Sequence, residues 1–205
     1  MPRRLLTPVL AIAAVLALGA GCADDVSPGV RVGDAKISVD DVLDEVAEWT
    51  GNEATSFYQE PGGEAPVTYP MEAVDALVQQ RIELELHNQQ FEALELRLDD
   101  TLREQALQLL FQGDLSIAEQ ALGGFSDGYA ASYVDDIARQ IAVQTTLGDA
   151  AYAEWRAEAL GGDDIEVNPR FGSWSSDTQT VVGPEGPRDP VQPSPGGELL
   201  TPEGQ

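Results

Sequence analysis

One histidine, one cysteine and a scatter of serines are all that this chain of 205 residues offers for nucleophilic or acid–base chemistry. His87 stands four residues after Glu83, and on a helix that spacing puts a carboxylate and an imidazole on one face, as a general base would need. With no second histidine and a single cysteine, neither a metal site nor a catalytic triad can be completed around it. His87 is therefore read as a solvated surface side chain. Ser116, Ser126 and Ser132 have no base at a matching spacing, and Ser38 is better placed as a helix cap. The paired acids Asp40–Asp41, Asp99–Asp100, Asp135–Asp136 and Asp163–Asp164 suggest calcium, yet none alternates its oxygens around a glycine turn as a calcium loop must. Those at helix starts already suit the helix dipole. No glycine-rich phosphate loop carries a lysine. The expectation is a binding protein that is not an enzyme, with no metal and no cofactor.

The charge narrows the partners. A formal net charge of −25 repels nucleic acid and anionic lipid headgroups, and it becomes more negative still if Arg3 and Arg4 are removed with a leader. An acidic surface of this strength keeps a chain soluble and favours basic partners.

Such a leader is legible at the start. MPRR is followed by an uncharged apolar run from Leu5 to Gly21, the layout of an export signal, and the run is too short and too rich in glycine and proline for a membrane span. The only cysteine, Cys22, directly follows Leu18, Gly19, Ala20 and Gly21, which resembles the lipobox of bacterial lipoproteins. That resemblance implies a signal peptide over 1–21, a lipidated Cys22 that anchors the mature chain to a membrane of the cell envelope, and a short tether over 22–29. A single cysteine also permits no disulfide within the chain, so its stability must come from packing.

Those residues need elements to carry them. VRVGDAKIS reads as a strand, a turn at Gly33 and Asp34, and a second strand piece. Ser38 then caps a helix over 39–50 with Asp41 in the reciprocal position. Residues 51–70 form a loop, with Phe57, Tyr58 and Tyr69 as pins. From Met71 to Leu96 apolar residues recur at Val74, Leu77, Val78, Ile82, Leu86, Phe91 and Leu94, the stripe of one long amphipathic helix. Asp99 caps a third helix; a weaker segment holds Ile117, Leu122 and Phe125; strong helices follow over 127–147 and 150–160. Ile165 and Val167 alternate like a strand. Gly183 to Gln205 contains six prolines and five glycines, and 176–205 is read as a disordered tail.

The order of these elements resembles the N-terminal chaperone domain of the SurA type. Val32, Gly33, Asp34, Ile37, Ser38, Asp41 and Val42 fill that family's strand-and-cap motif, and Leu77, Val78 and Ile82 match its long helix. The glycine that usually follows the long helix is absent, so a longer or less sharp turn is expected there. The parvulin isomerase domain that the family inserts has no room between Leu160 and Ile165, so no prolyl-isomerase activity is expected. The resemblance implies one domain over 30–175, mainly α around the long helix, with a small two-stranded β pairing of the N- and C-terminal segments. It implies a holdase or foldase-like chaperone for unfolded or extended polypeptides. Phe91, Leu94, Leu109, Leu110, Phe111, Tyr129 and Tyr133 are the candidate lining of a client groove. The alternative is a cell-envelope adaptor that binds one folded partner.

Overall fold

The computed structural model describes residues 28–55, 57 and 71–183; Cys22, Tyr58, Tyr69 and the tail from 184 onward lie outside them. Two strands, β1 (Val30–Val32) and β2 (Ala35–Ile37), are followed by α1 (Val39–Gly51), α2 (Met71–Ala93), α3 (Asp100–Leu110), α4 (Leu115–Leu122), α5 (Asp127–Leu147) and α6 (Asp149–Gly161). Three short strands end the described chain: β3 (Ile165–Val167), β4 (Ser173–Ser175) and β5 (Thr180–Val182). The fold is mainly α with small antiparallel sheets, as the sequence predicts.

The helix starts follow local chemistry. At Ser38 the hydroxyl accepts from the Asp41 N–H at 3.0 Å while Asp41 accepts from the Ser38 N–H at 3.1 Å, the reciprocal box expected from S-x-x-D. Asp99 accepts from the Leu102 N–H at 2.9 Å. Ser126, which the sequence reading leaves without a role, caps α5 through the Tyr129 N–H and also donates to Glu48 on α1.

The sheet is larger than the expected pair. β1 lies in the middle of three strands in the order β2-β1-β3, because the Gly33–Asp34 turn folds β2 back on it and β3 pairs on its other edge. Val30 faces Val167 and Val32 faces Ile165, so the two ends of the ordered chain meet in one sheet, as anticipated. The domain does not stop at residue 175. β4 and β5 form a hairpin whose Val181 N–H donates to Gln79 on α2 at 3.0 Å, so part of the supposed tail is a packed element. Gly172 is essential to this closure: its φ is +124°, and a Cβ there would sit 2.4 Å from the Val182 carbonyl oxygen.

α2 is central, and 23 residues give it a length of about 35 Å. It is buried on more than one side, not along the single expected stripe. Val74, Leu77, Val78 and Ile82 join the sheet, α1, Leu160 and Phe171 in the main core. Leu84 packs with Ala106, Val134, Ile137 and Ala138, and Phe91 with Ala142 and Val143. A rod clasped from several sides needs apolar residues off its main stripe, which is where Leu84 lies. Fully burying side chains of this size stabilises by about 1.5–3 kcal/mol each, so the rod anchors all three clusters.

The end of α2 is sharper than the missing glycine suggests. The helix stops at Ala93; Glu95 takes the left-handed conformation at φ +53°, and the Leu96 N–H reaches back to the Phe91 carbonyl at 3.1 Å. This is a glycine-type helix stop made with a glutamate.

Candidate functional site

Leu109, Phe111 and Ile117 occupy the corner between α3 and α4. Gln112 and Gly113 turn the chain through left-handed backbone, at φ +51° and +81°. Asp114 then restarts the helix by accepting from the Ser116 and Ile117 N–H groups at 2.9 and 3.4 Å. Hydrogen bonds from Ser116 hold the Asp114 carboxyl below its usual range. α3 packs Ala106, Leu102, Leu107 and Leu110 towards Leu84 and α5, and Leu109 is left out of that cluster. Leu109 is 66% exposed and Ile117 52%, and Phe111 is half-buried between them in sequence. Glu104, Asp114 and Glu119 are exposed on the same two helices and their turn. The one cation of α3, Arg103, is engaged by Asp135 at 2.7 Å and Asp100 at 3.0 Å. The corner is an apolar spot in a negative field.

The other expected groove residues do not join it. Phe91 is buried in the core, Leu94 is half-buried in the turn after α2, and Leu110 is half-buried against α5. Tyr129 and Tyr133 belong to an aromatic cluster at the far end of α1: Trp49 meets Phe125 edge-on at 5.1 Å, Tyr133 at 5.5 Å and Phe57 at 6.4 Å. Phe57 is thus the loop pin foreseen. The seven candidates therefore split among core, the turn after α2, aromatic cluster and corner, and no single groove contains them. Apolar residue type and helical spacing are shared by all of them, and only the tertiary partners distinguish Phe91 from Leu109. Ile117 is a surface residue that sequence reading assigned to a weak segment and not to the groove.

Next to the aromatic cluster, a cavity of about 370 Å³ opens between β2, α1 and α2, with Lys36, Ile37, Asp44, Glu45, Arg81 and Tyr129 in its lining. Tyr129 donates to Glu45 at 2.9 Å and accepts from the Trp49 indole. Burial pushes the Glu45 carboxyl above its usual range, opposed by the Arg81 charge and by the Tyr129 hydrogen bond. Burial likewise raises Tyr129 and Tyr133, so neither phenol ionises near neutral pH. Arg81 is directed to Asp136, a buried carboxylate on α5 that the sequence marks only as half of an acidic pair. Its oxygens accept from Arg139 at 2.7 Å, Asn88 at 3.1 Å and Arg81 at 3.5 Å. This network joins α2 to α5 through charge as well as apolar contact.

His87 is not on the surface. Only 2% of it is exposed, and it faces Tyr152 and Trp155 of α6. A carbonyl can only accept, so the 2.6 Å contact of Nδ1 with the Glu83 carbonyl oxygen places the proton on Nδ1. Nε2 is then the acceptor for the Tyr152 hydroxyl at 2.9 Å. Burial holds the imidazole below its usual pKa, with the Glu83 interactions opposing. The surface expectation fails because it rests on sequence neighbours, whereas the Tyr152 that helps bury the ring lies 65 residues away. Glu83 uses its carboxylate on Arg156 at 2.9 Å, and the backbone of Glu83, not its carboxylate, holds the ring.

Among the described residues no group of three or more His, Cys, Asp or Glu side chains could hold a metal ion, and no helix is long and apolar enough to cross a membrane. No family model matches the chain, and neither a curated protein nor a solved structure matches it.

Proposed function

We propose that this chain is a lipid-anchored, extracytoplasmic holdase that retains unfolded or extended polypeptides without isomerising them. The observation that carries the reading is the pair Leu109 and Ile117, large apolar side chains left exposed at the α3–α4 corner of a chain whose net charge is −25. Exposed apolar residues that recur on adjoining elements are what a client's side chains can cover. The surrounding carboxylates favour clients whose apolar residues are flanked by Lys or Arg, and they suppress association of the chain with itself. The order of elements adds support, since the strand, the capped helix and the long central helix follow the sequence pattern quoted for the SurA-type domain. Membrane attachment rests on Cys22 and the leader before it.

Light scattering of an unfolded client tests the reading. The chain should slow aggregation at near-stoichiometric ratio, and Leu109→Ser with Ile117→Ser should lose that effect while keeping the fold. No effect on several clients, basic ones included, rejects a holdase. A pull-down returning one stoichiometric partner in place of many weak ones would instead favour the adaptor. For the anchor, membrane fractionation should release Cys22→Ala into the soluble fraction, and a variant that stays in the membrane rejects lipidation at that residue.

A further inference from the structure

His87 takes no part in that surface, yet it holds α6 onto α2. The first half of α6 is otherwise tied by Tyr152 and Trp155, which pack against Phe91 of α2 and Ala142 and Val143 of α5. It begins at Gly148, which has φ +74° and gives the helix no side-chain cap, and of the residues of α6 only Leu160, near the far end, is buried. Leu160 is secured in the main core, and its carbonyl accepts from the Trp174 indole at 3.2 Å. Ahead of it, Tyr152 and Trp155 are half-buried and Arg156 pairs with Glu83. Both aromatic rings meet the His87 ring, at centroid distances of 5.8 and 5.1 Å.

We propose that His87 is an acid-sensitive latch: when its imidazole takes a second proton, the first half of α6 lifts from α2 about Gly148 and uncovers Tyr152, Trp155 and Phe91. The neutral ring fits its surroundings completely, donating from Nδ1 to the Glu83 carbonyl and accepting at Nε2 from Tyr152. A second proton makes Nε2 a donor, so the Tyr152 hydroxyl must reverse and find another acceptor. It also creates a buried cation. The charged groups facing it are few. On α2 the Glu83 carboxylate is already bound to Arg156 and to Gln79, at 2.9 and 3.1 Å. On α6 the Arg156 guanidinium repels the new charge. On α5, Asp136 and Arg139 are committed to Arg81 and Asn88.

The sign follows from the lowered pKa. With α6 lifted or the chain unfolded, the His87 imidazole takes up its second proton near the ordinary 6.5, and with α6 latched only at lower pH. The stability due to the latch is complete above pH 6.5 and is lost as pH falls below it, towards the latched value. Over that window one-proton linkage raises the opening equilibrium by up to about tenfold per pH unit. The device stands independently of the client reading. If both hold, acidification adds an aromatic surface to the one at the α3–α4 corner.

Hydrogen exchange of the full chain, corrected for the intrinsic pH dependence, tests the latch between pH 7.5 and 5. Amides of residues 152–156 should lose protection with the slope above while those of α1 do not, and His87→Gln should abolish the dependence. Flat protection of α6 in the unmodified chain, or the same slope in His87→Gln, overturns it. A variant that fails to fold leaves the imidazole itself to decide, by NMR of the unmodified chain. An Nδ1–H tautomer titrating below 6.5, with loss of the His87–Tyr152 ring contact on protonation, supports the latch; a contact that survives protonation overturns it.

Discussion

Replacing Asp136 by asparagine keeps the volume of the side chain and removes its charge from between two arginines. In the folded chain this carboxylate is 9% exposed and receives Arg139 at 2.7 Å, Asn88 at 3.1 Å and Arg81 at 3.5 Å. Breaking a buried ion pair by deleting one partner costs about 3–5 kcal/mol, because the other charge is left desolvated. Both arginine side chains are 31% exposed, so water takes up part of what the carboxylate supplied. That places the loss just below this range, at about 2–3 kcal/mol. For an ordered body of this size the corresponding fall in Tm is on the order of 5–10 °C. Urea unfolding followed by far-UV circular dichroism measures the loss. A double-mutant cycle with Arg139→Met then separates the pair from the rest, and the two substitutions should be less than additive by at least about 1 kcal/mol. Asp136→Asn within about 0.5 kcal/mol of the unmodified chain would refute the view that charge, as well as apolar contact, joins α2 to α5.

Gly172→Ala should destabilise by about 2 kcal/mol or more, since the added Cβ meets a backbone oxygen and the residue sits in a glycine-only region; thermal unfolding checks it, and an unchanged Tm contradicts the β4–β5 closure. Glu95→Gly should stabilise by about 0.5–1 kcal/mol by relieving the left-handed strain at φ +53°, read from the urea midpoint. Glu45 binds its proton more tightly when folded than its ordinary value of 4.5. Its contribution is therefore greatest below pH 4.5 and is lost as pH rises through the folded value. Glu45→Gln should gain on the unmodified chain between pH 4.5 and 7.5, and parallel stability profiles would reject the burial of that carboxylate.

What the sequence makes legible here is the local chemistry. Ser38 with Asp41, and Asp99, are recognisable caps because donor and acceptor lie within three residues of each other. The long helix is recognisable because its apolar residues recur over about five turns. The surroundings of His87 depend on Tyr152 and Trp155, and those of Glu45 on Tyr129, partners no local pattern brings together. The client surface suffers from the same loss: Leu109 and Leu110 are chemically identical neighbours, and only the direction in which α3 faces α5 leaves one in water. β5 hides because TVV is short and borders a proline- and glycine-rich stretch. The turn at Glu95 hides because a glutamate can adopt, at a cost, the conformation that a glycine would have announced.

The strand between β2 and β3 has a consequence for how the chain comes to be folded. Arg31 and Glu166, an ion-paired couple across β1 and β3, are separated by 135 residues. β1 gains its first neighbour immediately, through a two-residue turn, but its second only when almost the whole ordered chain is present. A chain delivered from its N-terminus can assemble α1, α2 and the α3–α5 packing while one edge of β1 waits open. Contacts so distant in sequence slow the final step relative to local helix formation, and an open strand edge attracts other strands meanwhile. The order of synthesis therefore makes β3 the element whose arrival completes the body, and truncation before Ile165 should leave helices that form without a sheet that closes.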